Sequence, residues 1–103
     1  MADTPYAIVV EVDVVTERFD DCVALTHAAV DRNVAEDPGC QRMELSVKAD
    51  GSPVMVLYEV YNSQAAFDAH LKTPGFVQWR AATREMVTGM RMTRLHVRRS
   101  STA

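Results

Sequence analysis

The run Val54-Met55-Val56-Leu57-Tyr58-Glu59-Val60-Tyr61 constrains this chain more than any other segment, because it is apolar on both sides of a strand alternation that one carboxylate interrupts. Successive strand side chains point to opposite faces of a sheet, so a strand of this kind needs a cover on each face. It belongs in the middle of a sheet. A carboxylate placed there must be hydrogen-bonded or paired, or else it shifts its pKa and takes up a proton. Glu59 can therefore orient a histidine, bind a substrate hydroxyl, or pair with Arg80, Arg91 or Arg94 across the fold or across a dimer.

The flanking segments supply the rest of that sheet and its cover. Tyr6 to Val14 alternates, with Tyr6, Ile8, Val10, Val12 and Val14 on one side, and a half-apolar second side marks it as internal too. From Thr16, a plausible N-cap, the period changes: Phe19, Cys22, Val23, Thr26, Val30 and Val34 define an amphipathic helix to about Ala35. Asp37-Pro38-Gly39 breaks it, and Cys40 to Lys48 alternates again with Met43, Leu45 and Val47 inward. Ala49-Asp50-Gly51-Ser52-Pro53 is a turn signal, so Val54 to Tyr61 folds back as an antiparallel partner. Asn62-Ser63 caps a short helix with Ala66, Phe67, His70 and Leu71 inward. Thr73-Pro74 starts another, which presents Phe76, Trp79, Arg80, Thr83 and Val87 until Gly89 stops it, and a last strand runs from Met90 to about Val97.

Strand, helix, strand, strand, helices, strand is the order of the α+β ferredoxin-like fold, a split βαβ arrangement with helices on one face of a four-stranded antiparallel sheet. Residues 1–103 have room for one such domain. The second face is left bare by its own chain, and a symmetric homodimer packed sheet to sheet, a dimeric α+β barrel, is the simplest cover.

Composition narrows the partners. A net charge of -3 gives no general attraction to phosphate backbones or anionic lipid, so nucleic acid is not expected. No apolar run reaches the roughly 20 residues of a membrane span, and the first residues lack a signal peptide's basic flank, which makes the cytoplasm the expected compartment. Cys22 and Cys40 lack metal-ligand spacing and read as packing residues. There is no Gly-rich phosphate loop, nucleophile elbow or His/Cys metal cluster.

What remains is a set of polar and aromatic residues at inward positions. His70 can act as general base or donor to a ligand, or be a structural histidine bonded to a carbonyl. With Glu59 within reach, the two would form a base and its orienting partner. Asn33 can hydrogen-bond a ligand or tie the helix end to the following turn. Phe67, Phe76 and Trp79 can line a flat pocket or fill the core. His27 and His96 have no evident partner and default to surface or structural roles.

The segments Glu36-Asp37-Pro38-Gly39-Cys40, Leu57-Tyr58-Glu59-Val60-Tyr61 and Ala65-Ala66-Phe67-Asp68-Ala69-His70-Leu71-Lys72-Thr73-Pro74-Gly75-Phe76 occur in that order. Together they resemble the antibiotic biosynthesis monooxygenase family, especially its small bacterial quinol monooxygenases and autoinducer-2-degradation isomerases. The resemblance spans nearly the whole chain. It implies a ferredoxin-like dimer with a pocket between helices and sheet in each subunit, and a monooxygenase that uses no cofactor. The substrate, a quinol or polycyclic phenol, is then itself the electron donor to molecular oxygen. On that pattern His70 is the base or donor and Glu59 its partner, while Asn33, Tyr58, Phe67, Phe76 and Trp79 contact the substrate. Met43 stands where relatives often carry an aromatic residue, and Gly75 where many carry a second histidine. Two other readings are an isomerase of a small phosphorylated dione, needing cations from Arg42, Lys72, Arg80, Arg91 or Arg94, and a non-catalytic ligand-binding dimer.

Overall fold

A computed structural model describes residues 4–101. Its strands are β1 (Tyr6–Val14), β2 (Cys40–Val47), β3 (Val54–Tyr61) and β4 (Val87–His96), and its helices α1 (Phe19–Glu36), α2 (Gln64–His70) and α3 (Pro74–Thr83). The sheet order is β2-β3-β1-β4 with every neighbouring pair antiparallel. The two strands that are apolar on both sides, β1 and β3, are the central pair, as their composition requires. This is the α+β ferredoxin-like fold.

The core lies between the sheet and the helices. Tyr6, Ile8, Val10, Val12 and Val14 from β1 meet Met55, Leu57 and Tyr61 from β3, closed over by Cys22, Phe67 and Met86. Ser63 caps α2 by accepting the Ala66 N–H at 3.1 Å, and Thr73 caps α3 by accepting the Phe76 N–H at 3.3 Å, with Pro74 in the first turn. Gly51 takes φ +82° in the β2–β3 hairpin turn. No helix among the described residues is long and apolar enough to cross a membrane.

Four sequence expectations are corrected. Thr16 does not cap α1: it opens a short 3-10 turn, Thr16–Arg18, and α1 begins at Phe19 without a side-chain cap. The chain is held there by the Val15 N–H donating to Met86 O at 2.8 Å, which forces a tight turn before the helix starts. Val34, expected inward, is 46% exposed because it falls at the edge of the α1 stripe, where Ala29 is buried instead. Val47 is half exposed at the end of the outer strand β2. Gly89 does not stop α3, which ends at Thr83. Met86 N–H closes a turn onto Thr83 O, and Val87 already pairs with Val14, so Gly89 lies within β4 opposite Asp13.

Candidate functional site

The helices do not fill all the space above the sheet. A cavity of about 380 Å³ remains, floored by Ile8, Val10, Leu57, Met90 and Met92 and walled by α1 and α3. Its polar groups are few: Glu59, His70, Asn33, Thr26 and Arg80. A mostly apolar cavity with a few convergent polar groups is the usual form of a small-molecule site.

His70, the last residue of α2, is 3% exposed. Its ring lies between Tyr61 and Phe76, at centroid separations of 5.2 and 5.3 Å. Its Nδ1 lies 3.0 Å from Oδ2 of Asp37, whose Oδ1 accepts the Gly39 N–H at 3.1 Å. Asp37 also C-caps α1, its N–H donating to Asn33 O at 2.9 Å. Both carboxylate oxygens are thus fixed, and the pair binds the turn after α1 to the end of α2. Gly39 is what permits this approach, since a Cβ there would come within 2.9 Å of the Ala66 Cβ on α2. With Nδ1 engaged, Nε2 is the ring nitrogen left for a ligand.

The structure corrects the expected partner of His70: Asp37 orients it, not Glu59. Glu59 is 7% exposed and accepts the Tyr61 hydroxyl at 2.5 Å, and none of Arg80, Arg91 or Arg94 reaches it. Burial pushes the Glu59 carboxyl above its ordinary range, partly offset by the Tyr61 hydrogen bond and the nearby imidazole. Burial, and then the neighbouring carboxylate, likewise hold the Tyr61 hydroxyl protonated. Glu59 faces the cavity as a buried carboxyl held by Tyr61, while Asp37 is the carboxylate beside the imidazole.

Of the other expected residues, Asn33, Phe67, Phe76 and Trp79 line the cavity. The Asn33 amide does not tie the helix end to the turn; its backbone carbonyl does that, leaving Nδ2 against Met43 Sδ at 3.7 Å. Trp79 is pinned across the helices, its Nε1 donating to Thr26 Oγ1 at 3.0 Å, and that hydroxyl donating to Cys22 O at 2.8 Å. Tyr58 is corrected: it is not on the cavity wall. Strand alternation sends Leu57 and Glu59 to the helix side and Tyr58 to the opposite face, beside Val9 and Glu44. Gly75 is filled from α1, where Arg32 donates to Gly75 O at 3.1 Å and its Nε would lie 2.9 Å from a Cβ at that position. His27 is exposed beside Asp31, and His96 packs on Tyr6. Of the five cations an isomerase could recruit, only Arg80 lines the cavity; Arg42 pairs with Glu44, Arg91 with Asp13 and Glu11, and Arg94 with Tyr6.

Sheet and helices define an α+β ferredoxin-like domain with a cavity between them. Residues 5–82 match the antibiotic biosynthesis monooxygenase family, and the chain belongs to that family. It is 38% identical over 65 residues to the Mycobacterium tuberculosis protein named "Putative monooxygenase Rv0793", a match covering 63% of this chain and 62% of that protein's length. The solved structure of Rv0793 superposes with a TM-score of 0.85 at 26% identity, covering 96% of this chain and all of the other. A family structure from Nitrosomonas europaea gives 0.87 at 20% identity, covering 95% and 94%. One from Bacteroides thetaiotaomicron gives 0.88 at 16% identity, covering 97% and 95%. These last two likenesses speak for the fold.

Proposed function

We propose that the chain is a cofactor-independent monooxygenase that oxidises a quinol or polycyclic phenol with molecular oxygen, and that the cavity is its active site. The observation that carries this reading is the buried His70–Asp37 pair set in the wall of an otherwise apolar cavity. His70 Nε2 takes the phenolic proton and Asp37 stabilises the imidazolium that forms. A phenolate is a much better one-electron donor than a phenol, so deprotonation in a dry cavity favours electron transfer to oxygen. The phenoxyl radical and superoxide combine at a ring carbon. Proton return from His70 and loss of water from the hydroperoxide leave a quinone, with one oxygen atom on carbon and the other in water. The substrate supplies every electron. The Asn33 amide is a donor for the developing oxyanion.

A phosphorylated dione is less well served, since Arg80 is the one cation on the cavity wall among the described residues, with Arg84 outside it. The sheet face away from the helices supports a homodimer: Val9 and Tyr58 are half-buried there and Leu95 is exposed. The test is oxygen uptake by metal-stripped protein with hydroquinones and polycyclic phenols under labelled oxygen. The expected result is uptake above the uncatalysed rate, with one labelled atom in the product and no added reductant. Uptake no faster than background across such compounds, or a requirement for a reductant, contradicts the proposal.

A further inference from the structure

Arg80 and Met90, in contact at 3.7 Å between Nη1 and Sδ, stand at the edge of the cavity near the end of α3. A second groove of about 410 Å³ adjoins it, lined by Arg84, Thr88 and Gly89 and sharing Arg80 and Met90 with the first. The inner space is apolar, whereas the outer one carries two guanidiniums. Arg80 and Arg84 lie one helical turn apart, a spacing at which like charges repel. Neither makes an ion pair among the described residues, although the chain has 14 acidic residues against 11 basic ones. Arg18, Arg42 and Arg91 each have a carboxylate within reach. The carboxylate behind Gly89 is Asp13, and Arg91 holds both its oxygens, at 2.7 and 3.0 Å. The groove therefore keeps two donors' worth of positive charge beside an apolar cavity, with no acidic side chain of its own to neutralise it.

We propose that this outer groove is a subsite for a carboxylate borne by the same substrate, held by Arg84 and Arg80 while the phenolic body occupies the cavity. The proposal rests on the cavity binding that body. It narrows the substrate class to an apolar, multi-ring phenol with an acidic side arm, oriented with its hydroxyl at His70 and its carboxylate at the far end of α3. Arginine suits the task because its planar fork meets a carboxylate with two parallel hydrogen bonds. Two such groups also outweigh the negative end of the α3 dipole.

Trp79 is the single tryptophan and lies on the cavity wall, so its fluorescence reports occupancy directly. The probes are a hydroxynaphthyl-propanoic acid and its methyl ester, titrated into the full chain. The acid is expected to bind about tenfold tighter than the ester, the lower end for a charge-assisted hydrogen bond. Arg84→Met is expected to weaken the acid several-fold and leave the ester unchanged, and added salt to narrow the gap, since the groove is open to solvent. Equal binding of acid and ester, or an Arg84→Met variant that weakens both alike, overturns the carboxylate subsite and leaves the phenol reading intact. Failure of either compound to perturb Trp79 overturns both.

Discussion

The two faces of the sheet treat polar side chains in opposite ways. On the helix side, Glu59 sits among Ile8, Leu57 and Phe67, is held by one hydroxyl, and has its proton affinity raised by burial. On the open side, Glu11 and Asp13 lie within reach of Lys48 and Arg91 at separations of 2.7 to 3.5 Å, half in water, where each ion pair is worth little. Charges that find one another in solvent give orientation and solubility. A polar group held singly in an apolar cavity has its protonation set by its neighbours, and such a group can do proton chemistry. The difference explains why Arg91, with more ion contacts than any residue of the cavity, is no candidate for the site, while the sparsely bonded His70 and Glu59 are.

The sharpest test of this contrast is packing. Phe67 is 1% exposed and packs on Tyr6 and Tyr61. Phe67→Ala should cost about 3–5 kcal/mol in urea unfolding followed by circular dichroism, a large part of a small domain's stability. Val56→Ala on the open face should cost much less. Equal losses would mean that the open face is as deeply covered as the helix side.

Asp37→Asn keeps an acceptor for the Gly39 N–H but removes the charge that stabilises an imidazolium. Turnover should fall by at least about tenfold, less than the roughly hundredfold floor for losing the base itself, with the melting temperature little changed. Full turnover in the variant would return the orienting role to Glu59 or dismiss it.

A smaller effect concerns Glu59. Because its pKa in the folded chain is raised, the native state binds the proton more tightly than the unfolded chain does. The stability this contributes is complete below the ordinary carboxylate range and is lost as pH rises through the folded value. Glu59→Gln stays neutral throughout, so thermal melts should show it gaining on the wild type as pH rises above the ordinary carboxylate range. A wild type that gains on the variant over that range would show the carboxylate to be paired and stabilising.

Much of this architecture was legible in the sequence because it follows from local periodicity. β1 and β3 announce themselves as central by being apolar on both sides, and the caps at Ser63 and Thr73 sit where their side chains predict. The boundary near Met86 was not legible: Gly89 looks like a helix stop, and only pairing of Val87 with Val14 across the sheet shows otherwise. In the site, His70, Glu59, Phe67, Phe76 and Trp79 were marked by being polar or aromatic on an inward stripe. Asp37 was missed because 33 positions separate it from His70 and its neighbours Pro38 and Gly39 give it an ample reading as a helix breaker. Its one signal was a carboxylate immediately before a Pro-Gly turn and a buried strand residue, Cys40. Tyr58 stands in the family-like run Leu57-Tyr58-Glu59-Val60-Tyr61, and strand alternation turns it away from Glu59 and the cavity.

The central claim is that His70, oriented by Asp37, is the base of an oxygen-consuming reaction in the cavity. It is tested most directly by comparing wild type with His70→Ala in oxygen uptake on a hydroquinone the wild type oxidises, with Trp79 fluorescence confirming that both bind it. The account predicts similar binding and turnover reduced by about a hundredfold or more in the variant. Equal turnover at equal binding would contradict it.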